Sequence, residues 1–303
     1  MSATAVIDVG TNSTNLLVTD AGTDLERIIT VTRLGEGLHA SGVLSGAAMA
    51  RTVDVIESHA ARARELGAGT VLVAGTAACR RARNTADLVA TVRERTGLDL
   101  TVVPADIEAS LSFAGALRGL PRIAGNTLVV DIGGGSTELT VGVDSPLHTA
   151  SIPVGAVTAT ESELTTDPPH PADLTNVIGA VQDDLEEMGR LHPEMLGAQR
   201  VVGVAGTIVT VAAVEIGLAT FDDAVLHGFV LTRDAAEDVF RTLATEDLAQ
   251  RRKNPGLPAD RADVIVGGCC ILVGVMRRLG LPEITVSTRS LMDGAALRGR
   301  LTP

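Results

Sequence analysis

The sequence predicts an α/β fold built twice, and three observations predict it. Residues 6–18 (VIDVGTNSTNLLV) align without a gap on residues 129–141 (VVDIGGGSTELTV), with seven of the thirteen positions identical. Apolar runs of strand length alternate with helical stripes through both halves, as they do when helices pack on a sheet. The length, 303 residues, suits about two domains with cores of ordinary size.

In the first half, the apolar run that ends at Asp8 passes through a turn of Gly10, Thr11, Asn12 and Ser13 into a second apolar run, which reads as a hairpin. Met49, Val53, Ile56, Ala60 and Ala63 recur at spacings of three and four, so they form one helical face, with Ser45 as its N-cap and Gly67 as its stop. Thr70–Ala74 reads as a strand, 85–96 as a helix ending at Gly97, and Leu100–Val103 as a short strand. Asp106 is the expected cap of a helix running to about Leu117. Gly119, Pro121 and Gly125 then break the pattern, so the chain is expected to divide into 1–122 and 123–303.

The second half opens on the second copy of the hairpin. After the Pro-rich segment DPPHP at 167–171, Leu174, Val177, Val181, Leu185 and Met188 share one face of a long helix. Arg200–Val204 reads as a strand leading into Ala205-Gly206-Thr207, a small-residue turn that opens another helix. A helix follows Thr232, a polar and basic loop covers 250–261, Asp263–Leu279 is a buried helix, and Val286 ends the last strand. Leu291–Leu301 is the final helix, the one element placed to pack back on the first domain.

Composition narrows the function classes. Hydrophobic residues are 45% and charged residues 20%, the make-up of a folded globular chain rather than a disordered one. The longest apolar stretches, Val201–Val214 and Val264–Met276, are shorter than the ~18–20 residues that span a bilayer. The start, MSATAVID, lacks a basic region and an apolar core, so a cytoplasmic, membrane-free protein is expected. Cys79, Cys269 and Cys270 have neither disulfide nor zinc spacing and read as buried thiols. The formal net charge of −12 argues against a duplex nucleic acid partner, so an anionic ligand needs a local site. With four Phe and neither Trp nor Tyr, there is little on which to stack a nucleobase.

The two Asp-led turns carry the strongest chemical signal. Backbone N–H groups in a turn of Gly, Asn, Ser and Thr can converge on a phosphate oxygen, and small side chains let it approach. That makes Thr11, Asn12 and Ser13 in one copy, and Gly133, Gly134, Gly135, Ser136 and Thr137 in the other, candidate phosphate contacts. Asp8 and Asp131 end the strands before the turns and Glu138 follows the second, so all three are candidate ligands of a hard divalent cation. The plainer alternative is a pair of hairpin turns whose Asp caps turn amides, and the matched register weighs against it. Gly206 and Thr207, in the first turn of a helix, form a further anion-binding candidate or else a simple cap. Glu108 fits either the helix dipole or a general base acting on water. Arg80, with Arg81 and Arg83, is a phosphate partner or part of a solvated face, and Arg251, Arg252 and Lys253 read as a solvated loop. The six histidines show no ligand spacing and receive no role.

Taken together, Asp8–Ser13, Gly75–Asn84 (GTAACRRARN), Glu108, Asp131–Glu138, Asp167-Pro-Pro169, Gly203–Thr207 and Gly256–Asp263 (GLPADRAD) resemble the exopolyphosphatase and guanosine pentaphosphatase (Ppx/GppA) family, in order and over nearly the whole chain. The resemblance implies two ribonuclease H-like domains of the actin, Hsp70 and sugar-kinase superfamily, with the active site in the interdomain cleft. It implies Mg²⁺-dependent release of terminal phosphate from inorganic polyphosphate, with Mn²⁺ as an alternative ion. Hydrolysis of guanosine pentaphosphate, or non-catalytic sensing of either ligand, are the alternatives. Glu108 falls on the position of the family's catalytic base, Arg80 on a basic position, and Asp131, Gly133, Ser136 and Glu138 on positions tied to phosphate and metal. Two positions depart from the pattern: Asn15 stands where many members carry Arg or His, and Thr288 stands where an acidic residue is common. Family members often form homodimers, and the apolar helix over 264–276 suits either a core or an interface.

Overall fold

A computed structural model describes residues 3–301. The chain divides into two compact units, one running to Gly115 and taken up again from Leu291, the other Ala116–Ser290. The seam therefore falls at 115/116, where the break in sequence pattern had set it at 122/123, and the last helix belongs with the first unit.

The first unit begins with β1 (Ala3–Val9), β2 (Ser13–Asp20) and β3 (Thr23–Val31), followed by the short α1 (Leu38–Ser41) and α2 (Gly46–Glu65). It continues with β4 (Ala68–Gly75), α3 (Ala77–Arg81), α4 (Thr85–Thr96), β5 (Leu100–Val102) and α5 (Ala105–Ala116). The strand order is β3-β2-β1-β4-β5, with the first three antiparallel and β1, β4 and β5 parallel. Side chains alternate across β1: Ala5, Ile7 and Val9 join Val53, Ile56, Leu88 and Val92 in one core, while Val6 joins Leu17, Val103 and Leu111 in another. The helix stops are local, as expected: Ser45 Oγ accepts from the Ala48 N–H at 3.1 Å, and Gly97, at φ 72°, closes α4 in the left-handed region. One start differs. α5 begins at Ala105, one residue before Asp106, because the Pro104 carbonyl takes the first helical bond from the Glu108 N–H at 2.9 Å.

The second unit repeats the plan with β6 (Thr127–Ile132), β7 (Thr137–Gly142), β8 (Pro146–Ile152), α6 (Ala156–Glu163) and α7 (Pro171–Leu191). After a 3-10 turn at Pro193–Met195 come β9 (Arg200–Val204), α8 (Ala205–Ile216), α9 (Asp223–Leu226) and β10 (Val230–Thr232). It ends with α10 (Arg233–Thr245), α11 (Leu248–Arg251), α12 (Ile265–Arg278) and β11 (Glu283–Val286). The order β10-β11-β9-β6-β7-β8 is the first sheet's order with one antiparallel strand added at an edge. Two ribonuclease H-like sheets thus follow from one duplicated plan, and the copied hairpins occupy equivalent places. α13 (Leu291–Arg298) then returns to the first unit, where Met292 and Ala295 pack on Val6 and Leu111. It stops at Arg298, before the expected Leu301.

Helix α12 is buried from Ile265 to Met276, and its glycines let neighbours approach its backbone. A Cβ on Gly267 would lie 2.8 Å from the Ala156 carbonyl of α6, and one on Gly268 2.6 Å from the Thr207 methyl of α8. The helix after β8 and the helix opened by the 205–207 turn are therefore packed on one support. Among the described residues, no helix is long and apolar enough to cross a membrane.

Candidate functional site

In each unit the candidate residues gather where the parallel strands end. β1, β4 and β5 run side by side with Gly75 opposite both Val9 and Val102, so the 10–13 turn, α3 and α5 all leave the same sheet edge. In the second unit Asp131 lies opposite Val204, so the 133–136 turn and the start of α8 are neighbours. Ligands of open α/β sheets bind at such carboxyl ends.

The two turns match bond for bond. The Gly10 N–H donates to the Ser13 carbonyl at 2.9 Å, and the Gly133 N–H to the Ser136 carbonyl at 3.0 Å. The segment after each third strand holds the turn from behind. Thr32 and Arg33 donate to the Asn12 carbonyl (3.0 and 2.8 Å) and Gly35 to the Thr11 carbonyl (2.8 Å). In the second copy, Ala156 donates to the Gly133 carbonyl (2.9 Å) and Val157 to the Gly134 carbonyl (2.8 Å). With these carbonyls tied down, each turn holds a fixed shape in which its small residues let an anion approach the backbone. Gly155 is required here, since a Cβ would sit 2.5 Å from the Gly134 carbon and the Gly135 nitrogen. Thr137 plays a structural part: its hydroxyl donates to the Val154 carbonyl at 2.7 Å, much as Thr14 bonds Thr32 at 2.9 Å in the first copy.

The strand register pairs Asp131 directly with Glu138, and Asp8 with Asn15. Side chains paired across antiparallel strands lie on one face about 5 Å apart at Cβ. Asp131 and Glu138 therefore form a two-carboxylate patch of hard oxygen donors, in which Ser151 Oγ donates to Glu138 Oε1 at 3.0 Å. Such donors suit Mg²⁺ or Mn²⁺. Asp8 faces the Asn15 amide instead, at 3.5 Å from Nδ2 to Oδ2. Asp8 Oδ1 and Thr11 Oγ1 are closed off from solvent without a hydrogen-bond partner, which fits a ligand or cation completing this turn. Burial drives the Asp8 pKa up to about 7, with the Asn15 amide opposing the shift.

Glu108 and Arg80 come together. Arg80, in the last turn of α3, ion-pairs through Nη1 with Glu108 in the first turn of α5, and the same nitrogen donates to the Val103 carbonyl at 3.0 Å. Arg83 instead ties the loop before α2, its Nη2 donating to the Ser41 carbonyl at 3.0 Å.

At the start of α8, Ala205 holds a left-handed φ of 67°, uncommon for a residue with a side chain, directly before Gly206 and Thr207. Here the structure adds a residue to which the sequence assigned no role. The Arg261 guanidinium lies against Gly206, where a Cβ would collide with Nη1. Burial lowers its pKa from the ordinary arginine value, with Asp260 opposing, and among the described residues no carboxylate forms an ion pair with it. The available signal was a lone Arg inside the Gly256–Asp263 segment, between Asp260 and Ala262 and leading into an apolar helix. The basic loop at 250–261 also differs from expectation: Arg251 is 4% exposed and ion-paired with Asp167.

Comparison with known proteins follows the same lines. The model of the Ppx/GppA phosphatase family matches residues 6–301. Exopolyphosphatase 2 of Mycobacterium tuberculosis is 32% identical over 317 aligned residues, covering 98% of each chain. The crystal structure of an exopolyphosphatase-like protein superposes with a TM-score of 0.92 at 28% identity, over 99% of this chain and 98% of that one. That of an exopolyphosphatase from Cytophaga hutchinsonii gives 0.89 at 25% identity, over 98% of each chain.

Proposed function

Because the chain belongs to the Ppx/GppA phosphatase family, we propose that it is an exopolyphosphatase, hydrolysing the terminal phosphoanhydride of inorganic polyphosphate with Mg²⁺ or Mn²⁺. The observation that carries this reading is Arg261. A partly buried guanidinium with no ion-paired carboxylate among the described residues, laid on the first turn of α8 beside the 133–136 turn, is suited to an anion that offsets its desolvation. A phosphate chain end supplies one. The near absence of aromatic residues favours a substrate without a base to stack.

In this reading the amides of Thr11, Asn12 and Ser13, of Gly133, Gly134, Gly135 and Ser136, and of Gly206 and Thr207 hold terminal phosphates in the two units. The divalent ion would be held by Asp131 and Glu138, and by Asp8 in the first unit, and when bound it supplies charge neutralisation on the phosphate oxygens. Glu108 orients the attacking water and takes its proton, while the shortened chain departs with the bridging oxygen. Arg80 fixes the Glu108 carboxylate against the Val103 carbonyl. Phosphoryl transfer asks for positioning and charge rather than a covalent intermediate, and these residues provide both. Since the overall charge of −12 repels the polymer, capture rests on local groups, Arg261 and the turn amides.

The test is phosphate release from long polyphosphate and from guanosine pentaphosphate, side by side, with Mg²⁺ or EDTA, for the wild type and Glu108→Gln. Release from polyphosphate that EDTA abolishes and the variant lowers by ~100-fold or more is expected. Release from the nucleotide alone would overturn the substrate, and binding without release from either would overturn the enzyme reading.

A further inference from the structure

We propose that His148, His192 and Glu194 form a surface site for a late first-row divalent cation, Zn²⁺ in the first instance, separate from the phosphate-binding residues. His148 lies on β8, the edge strand of the second sheet; His192 caps the C-terminus of α7; Glu194 sits in the 3-10 turn that follows. The topology brings the three together although residues 148 and 194 are far apart in sequence.

The spacing is that of a metal polyhedron. His148 Nδ1 lies 3.1 Å and His192 Nδ1 3.3 Å from the same Glu194 Oε1, and one donor atom from each residue lies within 4.8 Å of the other two. A tetrahedral zinc ion with bonds of about 2.0–2.1 Å keeps its ligand atoms about 3.3 Å apart. Two edges of the triangle already match that value. The imidazole rings are tilted at 37° with centroids 6.3 Å apart, so they converge on the carboxylate rather than stack.

The positions are also held. The His192 N–H donates to the Met188 carbonyl at 2.8 Å, the Met195 N–H to the His192 carbonyl at 3.0 Å, and Met195 is buried at 2% exposure. The backbone on both sides of Glu194 is therefore anchored, while the three side chains keep between a third and a half of their exposure to solvent.

Two imidazoles and one carboxylate select for Zn²⁺, Ni²⁺ or Cu²⁺ over Mg²⁺, which prefers oxygen donors throughout. The site is distinct from the Asp131–Glu138 pair: Glu138 is registered with Ser151 on β8, and His148 lies three residues further along, roughly 10 Å away. Three protein ligands leave the fourth position to water, so a bound ion would clip the end of α7 to the sheet edge.

The test uses the full chain, stripped with a chelator and titrated with Zn²⁺ against a chromophoric competitor, then with Co²⁺ for its ligand-field absorption. One equivalent with nitrogen ligation is expected, with affinity falling more than ~10-fold in His148→Ala and in His192→Ala and unmoved by millimolar Mg²⁺. Both variants should keep the wild-type circular dichroism and phosphate release, since the two side chains are half-exposed. Lack of saturable Zn²⁺ binding, binding that persists in both variants, or Co²⁺ spectra of oxygen ligation alone would each overturn the site.

Discussion

Arg80 holds the carboxylate of Glu108 while its Nη1 also donates to the Val103 carbonyl at 3.0 Å. Two helices that leave neighbouring strands of the first sheet are thereby joined by the candidate catalytic base and a candidate phosphate partner. The pairing makes Arg80 a positioning residue for Glu108, since one guanidinium nitrogen bonds both the carboxylate and the carbonyl at the strand end.

Arg80→Ala is therefore expected to lower kcat by about 100-fold, in line with the cost of small misplacements of a reacting group. Arg80→Lys should recover only part of that loss, because an ammonium on a shorter, flexible stem does not reproduce the reach and fixed N–H directions of a planar guanidinium. Steady-state phosphate release from polyphosphate, read as kcat and KM separately, checks this. A drop confined to KM would assign Arg80 to substrate binding instead.

A buried ion pair joins the returning helix to the first sheet, beside the apolar packing of Met292 and Ala295. Arg27 on β3 reaches both oxygens of Asp293 on α13, at 2.7 and 3.2 Å, and Asp293 is fully buried. Gly294 beside it lies so close to the Leu111 carbonyl that a Cβ would collide there. Asp293→Ala should cost about 1–3 kcal/mol, because Arg27 then keeps only Asp24, at 3.0 Å, as a partner in a largely buried place. Replacing both residues with apolar ones of similar volume should recover much of that loss. Urea denaturation of the three variants decides it, and an Asp293→Ala loss under about 1 kcal/mol would show that the pair does not secure the helix.

Asp8 ties stability to pH. Its folded pKa, raised to about 7 by burial, lies above the ordinary carboxylate value of the unfolded chain, near 3.8. The folded state therefore binds more protons between those values, and the Asp8 contribution is lost as pH rises through that window. Asp8→Asn should remove the slope and, in EDTA, make the protein roughly 2–4 kcal/mol more stable than wild type at pH 8, with little difference near pH 4. Denaturant midpoints across that range test the sign; a wild type that gains stability relative to the variant as pH rises would refute it.

How much of this was legible in the sequence depended on how local each cause is. The hairpins, the stripe of α2, the Ser45 cap and the Gly97 stop rest on neighbouring residues, and the structure keeps them. β3 and β8 gave weaker signals. TDLERIITV mixes charged and apolar positions without clean alternation, as an edge strand paired on one side allows, and PLHTASI is half exposed. The buried state of Arg251 was illegible for another reason: its partner, Asp167, lies 84 residues away in a loop.

By itself, the sequence determined that two Asp-led turns would recur in equivalent places of a duplicated α/β fold, because strand, turn and repeat are written in contiguous residues. Only the tertiary structure decided which side chains meet: Arg80 with Glu108, Arg261 with Gly206, Asp293 with Arg27, His148 with Glu194. Each of these joins residues on different elements, and their proximity arises from sheet order and helix packing, which no local pattern encodes.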